Sequence, residues 1–203
     1  MRVKVCGITT REDALLAAEL GAAALGFVCW PGSPRFVEPE SVAAIAGVLP
    51  PFVTTVGVFV NQARATVSRV VERTGIQVVQ LHGDEGADDW VGFERSIIKA
   101  IGVGASFNAG SLQAWPEAIT VLLDTADEAR RGGTGRTIDW DMARQVAATR
   151  RTILAGGLRA DNVAEAIRHI RPYGVDVSSG VEARPGVKDR DRLTAFMRAV
   201  AAQ

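Results

Sequence analysis

A chain of 203 residues with 47% hydrophobic composition can bury a sizeable core as one domain spanning 1–203. Its 23 Lys and Arg balance 23 Asp and Glu, so charge gives no reason to expect nucleic acid or an anionic membrane as partner; a small anionic ligand at a locally positive site stays open. No apolar run reaches the roughly 18 residues of a membrane span, no signal stretch precedes the first strand pattern, and Cys6 and Cys29 make no disulfide framework, so a cytoplasmic protein with reduced thiols is expected.

The first strand is expected over 2–6, a β-branched run that stops at Cys6 and meets Gly7 at once. Thr9 with Glu12 three residues on reads as a capping box for a helix over 11–20, with Gly21 at C′. Strand two is expected over 24–28, followed by a Pro- and Gly-rich loop over 29–35. Pro39 suits the first turn of a second helix with Val42, Ile45 and Leu49 on one face. Strand three falls over 54–60; Asn61 is the expected cap of a helix carrying Val67, Val70 and Val71 and ending at Gly75. Strand four falls over 77–81, before His82-Gly83-Asp84-Glu85 and a short helix near 87–94.

Strand five is expected over 96–101 and a weak helix near 108–115. Strand six, over 118–124, leads into a long loop, 125–139, with Gly132-Gly133-Thr134-Gly135 inside it, and Asp139 or Trp140 opens the next helix. Strand seven falls over 152–155, ahead of Gly156-Gly157-Leu158 and a helix near 161–170. Strand eight falls over 174–177, ahead of Ser178-Ser179-Gly180-Val181-Glu182. The last helix starts near Asp189, with Leu193, Phe196, Met197 and Val200 at i, i+3, i+4 and i+7.

Eight strands alternating with eight helices or helical candidates predict an α/β chain, a single-domain (β/α)8 TIM barrel near its lower size limit. A doubly wound open sheet is the competing architecture, but no G-x-G-x-x-G follows strand one to support it.

In such a barrel the strand exits at one end carry the chemistry. Gly156 and Gly157 after strand seven, and Ser179 and Gly180 after strand eight, let backbone N–H groups approach an oxyanion, and these two loops are where barrels often build a phosphate site. Cys6 alone would read as a small buried hydrophobe, but at a strand exit before a glycine it is a candidate nucleophile or general base. Cys29, with no paired acid or base nearby, reads as packing. Asp124 ends an apolar run, and a carboxylate there is either a cap, an ion-pair partner of Arg130 or Arg131, or a functional acid. Strands one and six are not neighbours, so Cys6 and Asp124 would face each other across a pocket. Arg35 offers a guanidinium fork suited to carboxylate or phosphate, and His82 follows strand four. His169 lies inside a helix and gets no role; two distant histidines with scattered cysteines make no metal site. The 132–135 glycine run reads as a linker or as a lid over ligand.

The ordered set Lys4-Val5-Cys6-Gly7-Ile8-Thr9, Ser33-Pro34-Arg35-Phe36-Val37, Gln80-Leu81-His82-Gly83, Leu123-Asp124 with Gly133-Thr134-Gly135, Leu154-Ala155-Gly156-Gly157-Leu158, Asp176-Val177-Ser178-Ser179-Gly180-Val181-Glu182 and Pro185-Gly186-Val187-Lys188-Asp189 resembles the signatures of phosphoribosylanthranilate isomerases along nearly the whole chain. The resemblance implies a (β/α)8 barrel of tryptophan biosynthesis. Its reaction is the Amadori rearrangement of N-(5-phosphoribosyl)anthranilate to 1-(2-carboxyphenylamino)-1-deoxyribulose 5-phosphate, with no cofactor, no metal and a small phosphorylated substrate as partner. Carried over residue by residue, Cys6 is the general base, Asp124 the general acid, and Arg35 the holder of the anthranilate carboxylate. His82 and Asp176 are substrate-binding, Asp176 toward a sugar hydroxyl, and the phosphate sits on the amides around Gly156, Gly157, Ser179 and Gly180. Lys4, two residues before Cys6 on the same side of the strand, is expected to support the thiolate. The alternatives are a histidine-pathway isomerase or dual-substrate enzyme, expected to place carboxylates at strands one and six with two phosphate sites, and a non-catalytic phosphosugar-binding barrel.

Overall fold

The computed structural model describes residues 1–104, 107, 109–125 and 139–203. Eight parallel strands close on themselves in chain order: β1 (Arg2–Cys6), β2 (Ala24–Val28), β3 (Thr54–Phe59), β4 (Val78–Leu81), β5 (Ser96–Val103), β6 (Thr120–Thr125), β7 (Thr152–Leu154) and β8 (Gly174–Val177). Closure is made by β1 and β8, with Arg2 opposite Gly174 and Lys4 opposite Asp176. Among the described residues six α-helices cover the outside: α1 (Arg11–Glu19), α2 (Pro39–Ala46), α3 (Arg64–Thr74), α4 (Trp140–Thr149), α5 (Val163–Ile170) and α6 (Arg190–Ala201). An antiparallel hairpin, β9 (Glu182–Arg184) and β10 (Val187–Lys188), lies between β8 and α6.

Two periodicities build this. Along each strand, alternate residues face opposite sides. One set (Val56, Ile98, Ala100, Leu122, Ile153 and Ala155, with Ala24 and Val78) packs strand on strand and fills the barrel interior. The other set, with Val5, Leu25, Phe27, Phe59, Leu81 and Leu123, packs outward against the apolar faces of the helices in one large cluster. Each fully buried side chain such as Phe27, Phe59 or Phe196 contributes about 1.5–3 kcal/mol. A strand buried on both faces has no polar side, which is why these runs read as continuous Val, Ile and Leu.

Several local expectations give way to the fold. Thr10, not Thr9, caps α1, accepting from the Asp13 amide at 3.1 Å. The Thr9 hydroxyl instead donates to the Gly186 carbonyl and ties α1 to the hairpin. Asn61 does not cap α3, which starts at Arg64 after Ala63. Asn61 turns with φ 53° and its side-chain oxygen accepts from the Asp84 amide at 2.6 Å. After β4 and β5 the expected helices are 3-10 turns, Ala87–Trp90 and Ala109–Ala114. Glycines at 86 and 92 bracket the first, leaving a segment between them too short for a stable α-helix, and Trp90 buries itself there against Phe93, ring centroids 5.2 Å apart. Most of the loop 125–139, including Arg130, Arg131 and the 132–135 glycine run, and Asn108 lie outside the described residues. Among the described residues no helix is long and apolar enough to cross a membrane.

Candidate active site

Alternation places Lys4 and Cys6 on the interior side of β1, Gln80 on that of β4, Asp124 on that of β6 and Asp176 on that of β8, all toward the C-terminal end of the barrel. Cys6 packs with Val28, Val58 and the half-buried Trp30 at the mouth. Gly26, its neighbour on β2, makes room for it: a Cβ there would stand 2.8 Å from Cys6 Sγ and 3.0 Å from Lys4 Nζ. Thiol and ammonium therefore converge on the same point.

Lys4 Nζ donates to Asp176 Oδ1 at 2.9 Å, with both side chains buried. Burial alone pulls the Lys4 ammonium down, but Asp176 and Cys6 outweigh it and leave Lys4 above the ordinary lysine range. Burial pushes the Cys6 thiol up; the Lys4 charge and hydrogen bond pull against that, and Asp176 adds to it. Lys4 thus supports the thiolate without fully offsetting its desolvation. Asp176, expected free for a sugar hydroxyl, has one oxygen committed to Lys4.

Arg35 crosses from the loop after β2 to the hairpin. Its Nε donates to Glu182 Oε1 at 2.9 Å and its Nη2 to Glu182 Oε2 at 2.6 Å. Gly7, with φ 75°, lets it pass: a Cβ there would meet Arg35 Cδ at 2.6 Å. Lys188, its side chain fully buried, donates to Glu182 Oε1 at 2.8 Å and to the Cys6 carbonyl at 2.5 Å. Burial would push Glu182 up, but the Arg35 hydrogen bonds and the Lys188 charge hold it below the ordinary carboxylate range. Hydrogen bonding to Glu182 raises Arg35, and burial pulls Lys188 down against the attraction of Glu182.

The loops after β7 and β8 touch. Gly156 and Gly157 both take positive φ, 80° and 67°, and a Cβ on Gly180 would stand 2.0 Å from the Leu158 carbonyl oxygen. Asn162 clasps the first loop, donating to the Gly157 carbonyl at 3.0 Å and accepting from the Arg159 amide at 2.8 Å. Ser179 opens a 3-10 turn, Ser179–Val181. Gly156, Gly157, Ser179 and Gly180 therefore form one half-exposed rim of small residues.

Opposite Cys6, Asp124 Oδ1 accepts from the Thr125 amide at 2.7 Å, which leaves Oδ2 facing His82 Nε2 at 3.5 Å. The loop carrying His82 is tied down by Lys99, which points out of the barrel and donates to the Gly83 carbonyl at 2.6 Å and to Glu85 at 2.7 Å. Cys29 sits on the outer face within the main core, its thiol 3.7 Å from the Phe27 carbonyl, as packing. His169 is at the surface, 2.8 Å from Asp141. Among the described residues no group of three His, Cys, Asp or Glu converges as a metal site.

A family model described as N-(5'phosphoribosyl)anthranilate (PRA) isomerase matches residues 3–199. The chain belongs to the phosphoribosylanthranilate isomerase family. An N-(5'-phosphoribosyl)anthranilate isomerase of Pelobacter propionicus is 48% identical over 198 residues, covering 98% of this chain and 94% of that one. The crystal structure of phosphoribosyl anthranilate isomerase from Thermotoga maritima superposes with a TM-score of 0.92 at 40% identity, both chains fully covered. A phosphoribosyl anthranilate isomerase in complex with reduced 1-(o-carboxyphenylamino)-1-deoxyribulose 5-phosphate is 39% identical with a TM-score of 0.88, again over both whole chains.

Around the rim of this isomerase-family barrel, Asp124, the β7 and β8 glycine loops, Cys6 and Arg35 follow in order. Sequence reasoning gave no role to Glu182, Lys188, Gln80 or Trp30. Glu182 and Lys188 lie just past strand eight in a stretch whose only local structural signal is Pro185-Gly186, the mark of a turn; the resemblance covers both residues but gave neither a role. A charged pair folding back onto strand one from there is invisible to local pattern.

Proposed function

We propose that this chain catalyses the Amadori rearrangement of N-(5-phosphoribosyl)anthranilate, with Asp124 as acid and Cys6 as base. The observation that carries the reading is the placement of a carboxylate and a thiol on the interior of β6 and β1, with an amide rim between them and a guanidinium beyond. The substrate's phosphate suits the rim at Gly156, Gly157, Ser179 and Gly180. Its anthranilate carboxylate suits the end of Arg35 left over by Glu182, chiefly Nη1. The ribose then lies between Asp124 and Cys6.

Asp124 gives a proton to the ring oxygen; the C1–O bond breaks, the nitrogen lone pair forms C1=N, and the ring opens to a Schiff base. The Cys6 thiolate takes the proton from C2, and the C–H electrons move to C1=C2 while the nitrogen regains its pair. The resulting enolamine tautomerises to the ketone. Asp124 is left as carboxylate beside the Thr125 amide and His82, and Cys6 as thiol beside Lys4. One proton leaves the acid and one reaches the base, so Asp124 must regain a proton and Cys6 lose one before the next turnover. Asp176, with the oxygen not held by Lys4, is placed for a sugar hydroxyl. Two unpaired, buried thiols suit a reducing, cytoplasmic setting.

The test is the fluorescence loss of freshly made phosphoribosylanthranilate with wild type, Cys6→Ser and Asp124→Asn. Both variants are expected to lose turnover while still binding a reduced product analogue. A wild type that binds phosphosugar without turnover would leave the barrel as a binding module and remove the isomerase reading.

A further inference from the structure

Gln80 is an uncharged polar side chain on the barrel interior with half of its amide unpaired among the described residues. It is 1% exposed and stands between Val58 on β3 and Ile98 on β5. Its side-chain oxygen is buried and, among the described residues, has no hydrogen-bond partner. Burying an amide with half of it unsatisfied is unfavourable, and a methionine of the same length would fill the space without that cost. The other half of the amide has a defined use: Nε2 donates to His82 Nδ1 at 2.8 Å.

A ring nitrogen that accepts a hydrogen bond carries no proton, so the neutral imidazole must carry its proton on the other nitrogen. That nitrogen, Nε2, is the one facing Asp124 Oδ2 at 3.5 Å. Asp124 Oδ1 is already held by the Thr125 amide. When Asp124 gives up its proton, negative charge grows on the carboxylate, and a hydrogen bond from Nε2–H to it shortens and strengthens. An interaction that gains as charge develops favours the transition state over the ground state.

We propose that Gln80 is a positioning residue that fixes the tautomer of His82, so that His82 donates from Nε2 to the Asp124 carboxylate formed during ring opening. This rests on Asp124 being the acid. It also gives a reason for an amide between Val58 and Ile98: it serves His82, two residues further along, and not the packing around it.

The experiment reads the tautomer and the rate separately. The chain has two histidines, so 15N spectra of labelled protein are assignable with a His82→Asn control. In wild type at a pH where His82 is neutral, Nε2 is expected as the protonated nitrogen and Nδ1 as the bare one. In Gln80→Met the Nδ1–H form should appear. In the same variant kcat should fall about 10- to 100-fold, the worth of one hydrogen bond to a charged group, with KM within about twofold and the melting temperature not lowered. A wild-type His82 protonated on Nδ1 overturns the proposal before any variant is made. With Asp124→Asn inactive, a Gln80→Met enzyme that keeps the wild-type tautomer or kcat overturns the role of Gln80 alone. If Asp124→Asn retains full turnover, the acid assignment falls and this inference falls with it.

Discussion

Arg35 meets Glu182 along one edge of its guanidinium, with Nε 2.9 Å from Oε1 and Nη2 2.6 Å from Oε2. A fork spent in this way is held rigid before any ligand arrives, and it presents its remaining N–H groups in a fixed direction. The same carboxylate neutralises Lys188, whose side chain is fully buried and whose ammonium also holds the Cys6 carbonyl. Anchor and base are thus braced by one acid.

Glu182→Gln keeps the shape and removes the charge. It leaves Lys188 buried without its counter-ion, so the variant should lose about 3–5 kcal/mol of stability in urea unfolding. KM should also rise as Arg35 loses its brace. Unchanged stability would show that Lys188 finds another partner or sheds its proton at little cost.

Lys4→Met removes the charge that pulls hardest on the Cys6 thiol, leaving Lys188 to pull it down more weakly and Asp176 to push it up. If the thiolate is the base, kcat/KM in wild type rises with pH into the alkaline range, because burial holds the thiol above its ordinary value. In Lys4→Met that limb should move to still higher pH, and activity near neutrality should fall. Thiolate absorbance followed against pH in a Cys29→Ala background checks the shift directly.

Cys29 gives a stability prediction free of catalysis. Burial pushes its thiol up to about 12 from a value near 9. A folded state that holds the proton more tightly than the unfolded one is favoured fully below about pH 9, and that contribution is lost as pH rises through about 12. Three units correspond to on the order of 4 kcal/mol. Between pH 9 and 12 wild type should lose more stability than Cys29→Ala, with all other titrations common to both and cancelling in the difference. Parallel curves would mean that water reaches this thiol in the folded state.

Gly180→Ala probes the rim. The added Cβ would stand 2.0 Å from the Leu158 carbonyl oxygen, backbone that cannot swing aside, so the β7 and β8 loops must part. Inorganic phosphate as a competitive inhibitor should bind about 10-fold or more weakly, the loss of one or two hydrogen bonds to an anion. An unaltered inhibition constant would place the phosphate elsewhere.

Much of this was legible in the residues. Strand exits at Cys6, Asp124 and the Gly156-Gly157 and Ser179-Gly180 loops are set by hydrophobic runs that end abruptly, and those runs mark the eight strands to within two residues. What could not be read is contact between distant segments. Thr9 looks like the cap of α1 until the hairpin claims its hydroxyl and Thr10 caps instead, and Asn61 looks like a cap until Asp84 takes its side chain. Glu182 and Lys188 look like surface charges in a polar stretch, yet both are buried because Arg35 and the Cys6 carbonyl come to them from 147 and 182 positions earlier. Gln80 looks like a polar interruption of strand four, and only the 2.8 Å approach to His82 separates it from a packing error.

Barrel closure by the last strand has a bearing on biogenesis. β8 satisfies the outer edge of β1, and the hairpin behind it supplies the partners of Arg35 and of the Cys6 carbonyl. On the ribosome, at about 5–20 residues per second, β1 therefore waits as an open edge until β8 has emerged, and the two ends of the site meet only when position 188 has cleared the exit tunnel. An incomplete polypeptide stalled short of that point would carry Cys6 and Asp124 but neither a closed sheet nor an anchor, so unfinished copies would be inert toward phosphosugars and would fall to chaperones or proteases instead.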